Sequence, residues 1–192
     1  MNEAQMISDF VRRKTAVLGC GNQSSRAMLA RLRRCVGKDI RDSQESWDIT
    51  LGDLPTELAG KATSNDFKPS PAEIAVHTAL TTFALHMQGH DRTVDSAGRS
   101  FASAIRSMVN ESNADGLKRR FDAMVTATDL TEMAYHARGL VQMMRADDSI
   151  GFDYARFAQD IYYYQFPNGR RNILMSWGQE FYTKQFENTK EE

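Results

Sequence analysis

The 192-residue sequence is short of several things, and each scarcity excludes a class of protein. It has only two cysteines, Cys20 and Cys35. Two cysteines cannot staple a chain of this length, and they stand fifteen residues apart rather than as Cys-x-x-Cys. A disulfide scaffold and the usual zinc and redox motifs are therefore excluded, and the usage is that of a cytoplasmic protein. No run is long and apolar enough for a membrane span. The longest central stretch without Asp, Glu, Lys or Arg, Ile74 to His90, is interrupted by histidine, threonine and glutamine, whereas a spanning helix needs ~20 mostly apolar residues. The N-terminus opens with an acid, Glu3, rather than with the basic and then apolar order of a signal peptide. An excess of charge is missing too: 24 Lys+Arg against 25 Asp+Glu leave a formal −1. With 41% hydrophobic residues, that balance excludes disorder and speaks against a strongly basic nucleic-acid binder.

The charge is unevenly laid out, however. Residues 12–38 carry eight basic side chains and no acid, while residues 39–73 carry eight acids and three bases. Arginine outnumbers lysine 17 to 7, a bias that suits bidentate phosphate contacts and stacking on bases.

Apolar residues recur at helical spacing along almost the whole chain. The pattern predicts helices over 4–18, ended by Gly19, and over the stretch from Ser24 or Ser25 as cap to Val36. Residues 38–70 form an irregular connection containing a strand-like Trp47–Leu51, a turn at Pro55–Leu58 and loop composition over Lys61–Asp66. Ser70-Pro71-Ala72-Glu73 reads as a capping box. It starts a helix with one apolar face of Val76, Leu80, Phe83, Ala84 and Met87, stopped by Gly89. Further helices follow over about 95–110, about 115–127, from Asp129 to about Arg145, from Asp153 to Tyr164, and from Pro167 onward. With neither repeats nor βαβ alternation, the expected fold is all-α: a compact bundle of about eight helices in one domain over residues 1–192, or in two packed lobes.

Candidate chemistry is sparse. His86 and His90 stand at i, i+4 but lack the glutamate of His-Glu-x-x-His, and Gly89 interrupts the pair. His77 and His136 read as structural. Glu111–Asp122 imitates a calcium loop but places helical residues and three cations where ligands belong. Gly19-Cys20-Gly21 lacks a third glycine and a preceding strand, and Asp147-Asp148 reads as a solvated loop. No nucleophile motif occurs, so no enzyme, cofactor, metal site or small-molecule substrate is expected.

What remains are rows of arginine on outer helix faces. Arg99, Ser103 and Arg106, and again Arg138, Gln142 and Arg145, stand at i, i+4, i+7. Arg31, Arg34 and Lys38 form a similar row, with Arg26 and Arg33 seven apart beside it, and Lys118-Arg119-Arg120 cluster before Phe121. Converging, such rows would track a phosphate backbone; diverging, they would merely solvate the bundle.

The order of motifs resembles a known family. Arg119-Arg120-Phe121-Asp122-Ala123-Met124-Val125 is followed by His136-Ala137-Arg138-Gly139-Leu140-Val141, Phe152-Asp153-Tyr154-Ala155-Arg156-Phe157-Ala158 and Trp177-Gly178-Gln179-Glu180-Phe181-Tyr182. Ala27 to Arg34, Phe83 to Gly89 and Ala97-Gly98-Arg99-Ser100 precede them in order. This series is similar to the CasB-family small subunit of the type I-E CRISPR surveillance complex, Cascade. Residues 38–70 and Tyr162-Tyr163-Tyr164 depart from the family pattern.

The resemblance implies a non-catalytic, all-helical subunit in antiviral defence. Its partners would be the crRNA-bearing Cascade backbone subunits, the large subunit and a second copy of itself, with no membrane involved. A basic face would hold crRNA and target or non-target DNA strands and so favour the open R-loop. The residues carried over as phosphate clamps are Arg33, Arg34, Arg99, Arg119, Arg120 and Arg138, with Arg26, Arg31, Lys118 and Arg145 in support. Two other readings of the same rows are a helical sequence-specific DNA-binding regulator and a purely structural helical adaptor.

Overall fold

The computed structural model describes residues 2–63 and 66–183. Helix α1 (Glu3–Leu18) starts where the Asn2 side chain accepts from the Gln5 amide, and it buries Ile7, Phe10, Val11 and Leu18. α2 (Gln23–Arg34) is capped by Asn22, whose side chain accepts from the Ser25 amide at 2.8 Å. The cap expected from Ser24 or Ser25 therefore falls earlier; Ser25 is buried and returns its hydroxyl to the Asn22 carbonyl. α2 ends at Arg34, and the chain turns away through Gly37 at φ +75.

The irregular region is more helical than its sequence suggests. Single 3₁₀ turns at Ile40–Asp42 and Gln44–Ser46 lead into the one-turn α3 (Trp47–Thr50), where a strand-like pattern is predicted. The physical reason is local. Trp47 Nε1 donates to the Ile40 carbonyl at 2.7 Å, and the Thr50 hydroxyl donates to Ser46. Ile49 and Thr50 are buried together, so the segment folds on itself with no neighbouring strand to pair with. β1 (Ala62–Thr63) and β2 (Asp66–Phe67) form a two-residue antiparallel pair. Of the loop expected at Lys61–Asp66, Ser64 and Asn65 lie outside the described residues.

α4 (Pro71–His86) opens with the expected capping box: Ser70 Oγ accepts from the Glu73 amide, and the Glu73 carboxylate accepts from the Ser70 amide. α5 (Phe101–Ser107) is shorter than the predicted 95–110. Residues before it are held in a loop because the Asp95 carboxylate accepts from Thr15 Oγ1 at 2.7 Å and from the Tyr154 amide at 3.0 Å. Gly98 adopts φ +80, Ser100 caps the helix, and Ala97 is exposed. The calcium-like stretch is a helix connection closed by Asn110 and Asn113 side chains on each other's backbone amides. It leads into α6 (Ala114–Val125). α7 (Leu130–Met144) is capped by Asp129, with Glu132 reaching back to the Thr128 amide rather than to Asp129 itself. α8 (Tyr154–Tyr164), capped by Asp153, and α9 (Pro167–Tyr182) complete the chain.

The predicted single apolar face of α4 is corrected by the packing. α4 touches α1, α2, α7 and α8, so it is buried on every side, and Ala75, Ala79 and Ala84 permit those close approaches. A second, aromatic part of the same core lies toward α5, α6 and α9. Phe101 packs on Phe152, Phe157 and Trp177, and Phe121 stacks on Phe181 with centroids 3.9 Å apart. Among the described residues no helix is long and apolar enough to cross a membrane, and no group of three potential metal ligands comes together. His86 Nδ1 and the Tyr154 hydroxyl share a hydrogen bond at 2.9 Å, and His90 Nδ1 lies 2.9 Å from the Asp148 carboxylate.

Candidate nucleic-acid interface

The ten cations singled out in the sequence meet different fates. Arg31 donates from Nε to the Glu45 carbonyl at 2.7 Å and pairs with the Asp48 carboxylate. Arg34 pairs with Glu45, Nη2 to Oε2 at 2.6 Å. The hydrogen bond from Arg34 holds the Glu45 carboxyl below its ordinary range and raises the guanidinium in return. Asp39, pulled down to about 2 by its hydrogen bonds from Arg41, is likewise occupied. The acids of the irregular region thus fold back onto the basic helix beside them. Lys118 is drawn into a 2.6 Å pair with Asp122, over the Tyr182 ring. Arg99 is half-buried on the loop after Gly98 rather than on a helix, so the row Arg99, Ser103, Arg106 does not exist as a helical face. Arg26, Arg119 and Arg120 are exposed and have no acid partner among the described residues.

Arg33, Arg138 and Arg145 behave differently. Burial lowers the affinity of Arg33 for its proton, and the charges of Arg145 and Arg34 lower it further. The charge of Arg145, at the end of α7, thus reaches Arg33 at the end of α2, and neither half-buried residue has an ion-pair partner among the described residues. Arg145 spends one donor, Nε, on the Gln88 carbonyl at 3.2 Å. Arg138, two turns back along the same face of α7, reaches across to Gly37, where a Cβ would stand 3.2 Å from its Nη1. Guanidinium groups held close and unpaired repel one another, and an anion with several oxygens relieves that repulsion while using their forked donors.

A cleft of about 720 Å³ opens beside this cluster, between the tail of α2, the turn at 38–41, Lys68–Pro69, α4 and α7. Lys38, Arg41, Lys68 and Arg138 line it, against one acid, Asp39, which Arg41 already holds. Tyr135, one turn before Arg138, also lines it and is 70% exposed. His77 is buried at its wall, kept toward neutrality by desolvation, and its Nε2 meets the Lys38 carbonyl at 3.2 Å. The sequence reading missed Lys68, Arg41 and Tyr135 as site residues. The available signal was an aromatic three residues ahead of an outer-face arginine row, which brings Tyr135 onto the face of Arg138 and Arg145.

Fold and site together define an all-helical protein with a cationic corner, free of ion pairs among the described residues, set beside a basic cleft. The chain belongs to the family of CRISPR-associated protein Cse2, which it matches over residues 28–182. Its fold is similar to CasB from Thermobifida fusca, with a TM-score of 0.74 at 26% identity over 94% of this chain and 98% of that one. CasB from Thermus thermophilus gives 0.66 at 20% identity, covering 95% and 99%. A chain of a CRISPR RNA-guided surveillance complex gives 0.67 at 18% identity, covering 94% and 93%. No curated protein sequence matches. The resemblance read from the ordered motifs is borne out.

Proposed function

We propose that this protein is the small, non-catalytic subunit of a type I-E Cascade ribonucleoprotein, holding nucleic-acid backbone on the α2–α7 corner to favour the crRNA-guided R-loop. Membership of the Cse2 family and the likeness to a surveillance-complex chain support the assembly. The observation that carries the backbone contact is that Arg33 and Arg145, within reach of each other's charge and without ion-pair partners among the described residues, stand beside a cleft lined by Lys38, Lys68 and Arg138. R-loop formation exchanges one duplex for another of similar stability, so a few backbone contacts to an opened strand are enough to tip it. Its partners are the crRNA-bearing backbone subunits, the large subunit and a second copy of itself, in the cytoplasm. The regulator reading needs α2 to present its arginines to a major groove, and Arg31 and Arg34 are held by Asp48 and Glu45.

The test is the salt dependence of single-stranded DNA binding. Each phosphate neutralised on a single strand contributes about 0.7 to the slope of log K against log salt. Replacing Arg33 and Arg145 together by alanine is expected to lower that slope by about 1.4. Replacing Arg31 and Arg34, already paired, is expected to lower it much less. Equal losses from the two double variants, or none from Arg33/Arg145, refute the assignment.

A further inference from the structure

We propose that the cleft beside the arginine corner takes one unpaired nucleotide of the bound strand, its base stacked on Tyr135 and its phosphates held by Lys38, Lys68 and Arg138. This deepens the backbone-binding reading and rests on it.

Four observations lead there. The cleft's volume, about 720 Å³, is that of a small-ligand site. Its lining is strongly cationic: the one acid is neutralised by Arg41, and Lys38, Lys68 and Arg138 have no ion-pair partner among the described residues. An anion is therefore the complementary occupant. The cleft also carries a large aromatic at its rim, which a bare phosphate would not use. Tyr135 exposes 70% of its surface, and among the described residues its ring contact is a T-shaped one with His136, at 5.4 Å. A ring so placed offers a π-face to a base, whatever that base's identity.

Finally, cleft and corner are continuous. Tyr135, Arg138, Gln142 and Arg145 lie at i, i+3, i+7 and i+10, a single stripe along α7 about 15 Å long. A strand following Arg145 and Arg33 passes Arg138 at the mouth of the cleft. Only an unpaired nucleotide can turn its base out of line to enter, so the arrangement selects single strands over duplex. The wall is stiff: His77 ties the Lys38 carbonyl to α4.

The experiment compares a short oligothymidylate with an oligomer of the same phosphate count in which the bases are removed, at low salt. The wild-type chain is expected to prefer the base-bearing strand about 5- to 150-fold, the range of a single base–aromatic stack. Tyr135→Ala is expected to abolish that preference while leaving abasic binding unchanged; Tyr135→Phe is expected to keep it. The ring is exposed, so neither change disturbs the core. Charge reversal of Arg33 and Arg145 is expected to weaken both strands alike. A wild-type chain that binds both strands equally, or a preference that survives Tyr135→Ala, overturns the cleft proposal and leaves backbone binding standing. Binding of neither strand overturns both.

Discussion

Asp160 is a carboxyl group buried where a charge is unwelcome. It is 7% exposed, and desolvation pushes it up to about 6 from an ordinary value of 3.8. Trp177 Nε1 donates to its Oδ2 at 3.0 Å. Arg156 pulls its pKa back down, while Glu180 and Asp153 add to the rise. Because the folded pKa lies above the unfolded one, the folded state binds the proton more tightly. The contribution to stability is complete below pH 3.8 and is lost as pH rises through about 6. A rise from 3.8 to about 6 corresponds to about 3 kcal/mol at most. Asp160→Asn keeps an oxygen for Trp177 and removes the titration. The variant is expected to be about 1–3 kcal/mol more stable than wild type at pH 8 and nearly equal to it at pH 4. Urea unfolding followed by circular dichroism at pH 4, 6 and 8 measures the difference. His86, depressed to about 4 by burial, loses stability in the opposite direction as pH falls from 6.5. It is present in both proteins and cancels in the difference. A difference of the same size at pH 4 and pH 8, or a variant less stable at pH 8, refutes the argument.

Other outcomes follow from single contacts. Ser70→Ala removes the acceptor for the Glu73 amide and a donor to the Leu58 carbonyl at 2.6 Å, and is expected to cost about 1–2 kcal/mol in chemical denaturation. Tyr154→Phe leaves buried His86 Nδ1 without its partner and is expected to cost about 1–3 kcal/mol. Gly37→Ala places a Cβ on backbone at φ +75 and against Arg138. About 1–2 kcal/mol of stability should go with it, together with measurable loss of single-strand affinity relative to a Gly89→Ala control, where a Cβ meets nothing within 4 Å.

The helical architecture was legible because its signals are local. Caps at Ser70, Asp129 and Asp153, and the stripe Met133, Ala137, Leu140, Val141, Met144, depend on residues within a few turns of one another. Where the outcome depended on distant chain, local patterns misled. Asp95 is pinned by Thr15 and Tyr154, and this, not propensity, delays α5 to Phe101. The arginine rows show the same limit. Arg33 and Arg34 are neighbours with equal intrinsic character, yet one confronts Arg145 and the other is neutralised by Glu45. Helical spacing reported which residues share a face, and only the fold of 38–48 decided which of those faces kept its charge.

The enclosure of α4 has a consequence for hydrogen exchange and for how the basic cleft can move. A helix enclosed by α1, α2, α3, α7 and α8 opens only when they part, so its amides are expected to exchange last, near the free energy of global unfolding. One wall of the cleft, carrying His77 and Thr78, belongs to that slowest unit. The facing rim at 38–41 and 68–69 is short turn and loop. Any widening to admit a strand therefore falls to the rim and breaks the hydrogen bond between His77 Nε2 and the Lys38 carbonyl, while the register set by α7 and α4 survives each opening.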